Sequence, residues 1–219
     1  MTPEPTSFLY PFVDSGGRDP DALLADLARS AEEKATEARA LAAATLEGYG
    51  TELDAIGEAM AGRFEAGGRL FSFGNGGSAT DASGFATLFT RPPRGRPLRG
   101  WSLVSDEATL TALGNDVGFE LVFSRQLIAH ARPVDIAVGF STSGSSDNVI
   151  AAFAEAKKRG LLTVGLAGYD GGRMAVCGHL DHCLVVRSDS VHRIQEATDA
   201  LALTLWERVQ EHLGPRAPL

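Results

Sequence analysis

Apolar positions in this chain follow two rhythms. Residues 69–73, 101–104, 135–140, 161–167 and 183–187 are short runs, apolar at most positions and bounded by glycine or polar turns. Such runs predict strands of a buried sheet. Between them, apolar residues recur three to four apart, the spacing of one helix face. Asp19-Pro20 is a good helix start, with aspartate as cap and proline in the first turn. Leu23, Leu24, Leu27 and Ala31 continue that face, and an alanine-rich helix runs to about Leu46. A second helix is predicted from near Thr51, with Leu53, Ile56, Met60 and Phe64 on one side and Gly67-Gly68 as its stop. Further helices are predicted over 79–89, 107–113, 119–131, from about Val149, and over 191–213, where Gly214-Pro215 ends the last one. A short helix is expected after the turn Gly168-Tyr169-Asp170-Gly171-Gly172. Strands separated by helices mean an α/β fold with a parallel sheet. Two helices ahead of the first strand suggest an added helical arm of the kind used for oligomerisation.

The 219 residues fit one domain plus an extension. Residues 1–18 carry Pro3, Pro5, Pro11, Gly16 and Gly17 and read as an irregular arm. Phe8, Leu9, Tyr10, Phe12 and Val13 suit an arm packed on its own domain or on a neighbouring subunit. Residues 19–214 form the single domain, including both N-terminal helices, and 215–219 are a tail.

Hydrophobic content of 44% leaves room for a sizeable core. A net charge of −8 argues against nucleic-acid binding, which rewards basic patches. The one basic cluster, Arg91 to Arg99, contains three prolines and reads as a surface loop. No apolar run reaches membrane-spanning length, and Met1 leads a polar, proline-rich segment rather than a signal peptide. A cytoplasmic protein is expected. Cys177 and Cys183, with His179 and His182 between them, match no zinc spacing and are expected to be a loop leading into a strand.

The chemistry gathers in loops that follow strands. Ser141-Thr142-Ser143-Gly144-Ser145-Ser146 lies between an apolar run and a helix. Backbone N–H groups at a helix start, the helix dipole and short hydroxyls together make an anion site. Gly74-Asn75-Gly76-Gly77-Ser78 and Ser105-Asp106 occupy the same kind of position. Ligands of open α/β sheets bind at the carboxyl ends of strands. Gly76 and Gly77 allow close backbone approach, and Asn75 and Asp106 can hydrogen-bond sugar hydroxyls.

Five motifs occur in one order: Gly74-Asn75-Gly76-Gly77-Ser78, Gly114-Asn115-Asp116, Phe123-Ser124-Arg125-Gln126, Ser141-Thr142-Ser143-Gly144 and Arg193-Ile194-Gln195-Glu196. Together they resemble the phosphoheptose isomerase family of sugar isomerase (SIS) domains, over roughly residues 20–213. The resemblance implies a three-layer αβα sandwich, flavodoxin-like, with a five-stranded parallel sheet. It also implies a phosphorylated-sugar ligand and a homotetramer. The implied substrate-site residues are Asn75, Gly76, Gly77, Ser78, Ser105, Asp106, Ser141, Thr142, Ser143, Ser146 and Gln195.

The family moves a proton between neighbouring carbons of an aldose and a ketose, through an enediol. It uses a Glu on the helix after the Gly-rich loop and a His on the last helix. Those positions are Leu88 and Leu203 here, and a further His, which joins a zinc site in some members, is Gly84. Leucine neither transfers protons nor binds metal, and Gln195 alone is a poor zinc ligand set. The expectation is therefore no metal, no cofactor and no standard acid–base pair. Asp81, Asp199 and His192 are the candidates for a rebuilt one. Asp199 lies four residues after Gln195 on one helix face. The alternative for these groups is local hydrogen bonding or a solvated surface.

The favoured expectation is a phosphosugar-binding protein without the family's activity, acting as a sensor, a regulator or the partner of another protein. The alternative is an active sugar-phosphate isomerase with relocated catalytic groups, acting on sedoheptulose 7-phosphate or a related sugar. A cleft for a nucleotide sugar or another phosphorylated metabolite is a third reading.

Overall fold

The computed structural model of the chain describes residues 20–214. The arm at 1–18, the Asp19 cap and the tail at 215–219 lie outside the described residues. Helix α1 (Pro20–Glu65) is followed by β1 (Leu70–Gly74), α2 (Gly77–Thr90), β2 (Gly100–Ser102), α3 (Glu107–Asp116), α4 (Val122–His130), β3 (Ile136–Ser141), α5 (Asp147–Lys158), β4 (Leu162–Gly168), β5 (His182–Val186) and α6 (Val191–Leu213). The stretch up to Arg39 and the stretch from Ala40 onward are two compact units. In the first, α1 leaves Leu24 and Leu27 exposed. Everything below concerns the second.

The sheet has the order β2-β1-β3-β4-β5, with every neighbouring pair parallel. This is the doubly wound order in which β1 and β3 lie side by side and the winding reverses between them. Register is continuous from Leu70 opposite Ile136 to Gly74 opposite Phe140, so the loops after β1 and β3 leave the sheet together. Alternation along the strands builds two cores. Leu70, Val138, Phe140, Val164 and Leu166 pack with Leu53, Ile56 and Met60 of α1, Phe85 and Phe89 of α2, and Leu201, Leu205 and Trp206 of α6. Phe71, Phe73 and Ala137 face the other way, onto Phe123 and Leu127 of α4 and Val149 and Phe153 of α5. The sheet is covered on both faces, as parallel sheets require.

Three expectations are corrected. The two N-terminal helices are one, Pro20–Glu65, with Gly48 and Gly50 inside it. Each helix-interior glycine costs about 1 kcal/mol. Burial of Leu53, Ile56 and Met60 against the sheet outweighs that cost. The stretch predicted over 119–131 is a 3-10 turn at Phe119–Leu121 leading into α4. After Gly172 the chain makes turns rather than a short helix. Tyr169 there is the one non-glycine at positive φ among the described residues, at 52°.

Candidate functional site

Hydroxyls come first, because the backbone alone positions them. Ser146 precedes α5 in an extended conformation but makes no capping bond with its side chain. Its hydroxyl instead lies 3.3 Å from that of Ser141, which in turn lies 3.5 Å from Ser143 Oγ. The Ser145 N–H donates to Ser143 Oγ over 3.2 Å. Gly144 closes the loop at φ 60°, where a Cβ would collide with the Gly171 carbonyl. The loop after β4 supports this one from behind. The Gly168 N–H donates to the Thr142 carbonyl and the Met174 N–H to the Gly144 carbonyl, at 3.0 and 2.8 Å. The Arg173 side chain donates to Asp147 in the first turn of α5, and its backbone N–H donates to Ser145 Oγ.

The Gly-rich loop stands beside it. Asn75 opens onto a cleft of about 440 Å³ lined by Gly76, Ala79, Thr80, Ser83 and the apolar wall of Val104, Leu110, Phe119 and Phe123. Its amide pairs with Asn148, each Nδ2 donating to the other's Oδ1 at 2.8 and 2.9 Å. On the other side of α2, a closed crevice with no room for a water molecule is lined by Ser78, Asp81, Ser141, Thr142, Gln195 and Thr198. Gln195 reaches across from α6 so closely that a Cβ on Gly77 would strike its amide.

Asp81 is the unusual group of this crevice. Burial pushes its carboxyl up to about 6, the charge of Asp199 adds to that rise, and a hydrogen bond from Gln195 opposes it. Asp199 is itself raised, by partial burial of its carboxyl. A carboxyl with a pKa near working pH can both take and return a proton. Of the two partners considered for Asp81, Asp199 is the one whose charge reaches it. His192 lies exposed in the first turn of α6. Ser105 and Asp106 stand apart at the start of α3. Asp106 is the helix cap, accepting from the Thr109 N–H at 3.0 Å and its hydroxyl at 2.6 Å, and these bonds lower its pKa.

A family model described as the SIS domain matches residues 35–168. The phosphoheptose isomerase of Solidesulfovibrio magneticus is 40% identical over 183 residues, 81% of this chain and 86% of the relative. The chain belongs to the phosphoheptose isomerase family of SIS domains. The corresponding protein of Paramagnetospirillum magneticum is 44% identical over 152 residues, covering 68% of this chain and 78% of its own. Among solved structures, phosphoheptose isomerase from Neisseria gonorrhoeae superposes with a TM-score of 0.75 at 35% identity, over 84% of this chain and 98% of its own. The protein from Francisella tularensis gives 0.75 at 29% identity, over 85% and 97%.

Leu88, Leu203 and Gly84 are the three positions at which the sequence resemblance leads one to expect the family's Glu and His side chains. Leu88 is half-buried against the α1–α2–α6 core, Leu203 is 45% exposed, and a Cβ at Gly84 would meet open space. None of the three offers a metal donor. Among the described residues, no three His, Cys, Asp or Glu side chains are grouped to hold a metal ion. Leucine and glycine carry no metal donor, and Gln195 alone makes a poor zinc site. No helix among the described residues is long and apolar enough to cross a membrane. Two residues escaped the sequence reading, Asn148 and Arg173. The first sits in a motif whose hydroxyls drew attention away from it. The second lies in a loop with no periodicity to mark it.

Proposed function

We propose that this chain is an aldose–ketose isomerase of a phosphorylated sugar, using Asp81 as its proton-transfer group. The observation that carries this reading is the half-buried Asp81, raised to about 6 beside Asp199 and Gln195, in the same crevice as Ser141 and Thr142. Relatives that are 40% and 44% identical are named phosphoheptose isomerases, which supports turnover over a purely regulatory role. The ligand's phosphate sits on the Ser141, Thr142, Ser143 and Ser146 loop, against the N-terminus of α5. Its carbon chain points past Gly77 towards the seam between α2 and α6, where the Gln195 side chain must swing aside to admit it.

The chemistry then balances without a redox partner. With a ketose bound, the Asp81 carboxylate takes a proton from C1, and that C–H pair becomes the C1–C2 double bond. The carbonyl π pair moves to O2, which takes a proton from solvent water, and Gln195 offers an amide N–H to the oxygen that becomes negative. In the second half O1 releases its proton to solvent, replacing the one O2 took, and becomes the carbonyl oxygen. The double-bond pair takes the proton back from Asp81 at C2, and the aldose results. Burial, with the charge of Asp199 added to it, keeps the Asp81 pKa high enough for both directions. No zinc takes part, so a chelator leaves the rate unchanged. The assembly is a homotetramer.

Purified protein should interconvert sedoheptulose 7-phosphate and its aldose, and Asp81→Asn should abolish the conversion. A second reading, binding without turnover and with a protein partner, is favoured by Leu88 and Leu203. It predicts no conversion by the wild type, and conversion only after Leu88→Glu with Leu203→His.

A further inference from the structure

The loops after β1 and β3 leave the sheet side by side, at the point where the winding reverses. A ligand held between them needs their separation fixed before it arrives. A side-chain contact spans the gap. Asn148, the second residue of α5 and only 3% exposed, pairs amide to amide with Asn75, 73 residues away.

The geometry of that pair is specific. Two N–H to carbonyl bonds of 2.8 and 2.9 Å close a ring between the two amides. A primary amide carries two N–H donors and two acceptor lone pairs. The ring uses one of each on Asn75 and leaves one of each free on a residue that lines the cleft. Asn148 itself is buried and offers a ligand nothing directly. Without it, Asn75 could turn about its side-chain torsions, and the Gly-rich loop would lose its tie to the hydroxyl loop.

We infer that Asn148 is a positioning residue, which sets phosphosugar affinity by holding the Asn75 amide and the spacing of the two loops. This rests on the proposed phosphosugar site and goes beyond it, by assigning a role to a side chain that does not touch the ligand. The advantage is one of preorganisation: the ordering is done in the folded protein rather than on binding. The effect should therefore fall on binding more than on the chemical step.

The test is a double-mutant cycle of Asn75→Ala and Asn148→Ala, read by calorimetric titration with sedoheptulose 7-phosphate and with inorganic phosphate. Loss of one or two neutral hydrogen bonds corresponds to a weakening of roughly five- to tenfold. Asn148→Ala should show that loss in affinity, raise KM by a similar factor and leave kcat within about twofold. In the Asn75→Ala background it should cost nothing further, because its route of action is gone. Asn148→Leu serves if the alanine variant folds poorly. Its side chain fills the buried space but neither donates to nor accepts from Asn75. It too should weaken binding. Wild-type affinity in either variant, or full additivity with Asn75→Ala, overturns the inference. Turnover is measured on the same samples. Intact binding without conversion overturns the isomerase reading and leaves the cycle fully readable.

Discussion

At the hydroxyl loop, Ser141, Thr142, Ser143 and Ser146 are placed by the backbone that carries them. Gly144 sets the turn, the loop after β4 supports it with two main-chain bonds, and α5 begins immediately behind. At the seam of α2 and α6 the placement is different. Asp81, Gln195 and Asp199 meet there through side chains, on two helices whose packing is set by apolar residues such as Phe85, Leu201 and Leu205. A phosphate cradle of the first kind is tied to the fold and changes little while the fold persists. An acid–base site of the second kind can migrate, because any residue on the facing stripes can supply the carboxyl. Asp199 lies one helical turn before Leu203 and Asp81 two turns before Leu88, so the carboxyls move by one to two turns along the same two helices.

The difference between the two ends can be broken experimentally, and the largest effect belongs to the reacting end. Asp81→Asn should lower kcat by about 10²- to 10⁴-fold, the usual contribution of a positioned acid–base group, with KM nearly unchanged. A kcat close to wild type would remove Asp81 from the chemistry. Ser141→Ala with Ser143→Ala should act in the opposite way. Hydrogen bonds to a charged group are worth about 1.5–3 kcal/mol, so KM should rise by about 10- to 100-fold, with the smaller part of the loss in kcat. If that variant instead lost kcat at constant KM, the two ends would not be separable.

Smaller effects sharpen the contrast through pH. Asp81 must be ionised to accept a proton, so kcat/KM should rise with pH through about 6. Asp199→Asn removes a negative charge that raises the Asp81 pKa, and the midpoint should move to lower pH. Steady-state profiles of both proteins check this, and an unmoved midpoint would uncouple the pair. Stability carries the same signature more weakly. The folded-state pKa of Asp81 is raised from 3.8 to about 6, so the folded state holds the extra proton between those values. That contribution is fully present below about 3.8 and is lost as pH rises through about 6. Thermal melts across this window should show a decline in wild type that is flatter in Asp81→Asn.

Much of this architecture is legible in the sequence, for physical reasons. Strands buried on both faces, such as β3 and β4, must be apolar at nearly every position and stand out as runs. The hydroxyl loop is legible because short side chains and glycine at a strand–helix junction have few other uses. Continuity of α1 is not legible, since two glycines within three residues look like a break and only tertiary burial overrides them. The Asp81–Asp199 encounter is half legible. Helical spacing puts each residue on a known face, but nothing local says that α2 and α6 meet there. The Asn75–Asn148 pair is illegible for the same reason in stronger form, because a loop residue and a helix residue 73 positions apart must meet.

Proton exchange tests the central claim most directly. An enediol step that passes a carbon-bound proton through Asp81 brings that proton into contact with solvent. The purified protein, incubated with sedoheptulose 7-phosphate in heavy water, should introduce deuterium at C1 or C2, seen as loss of those proton resonances. Asp81→Asn should bind the sugar and introduce none. Exchange at the wild-type rate in Asp81→Asn, or no exchange in the wild type, would contradict the account.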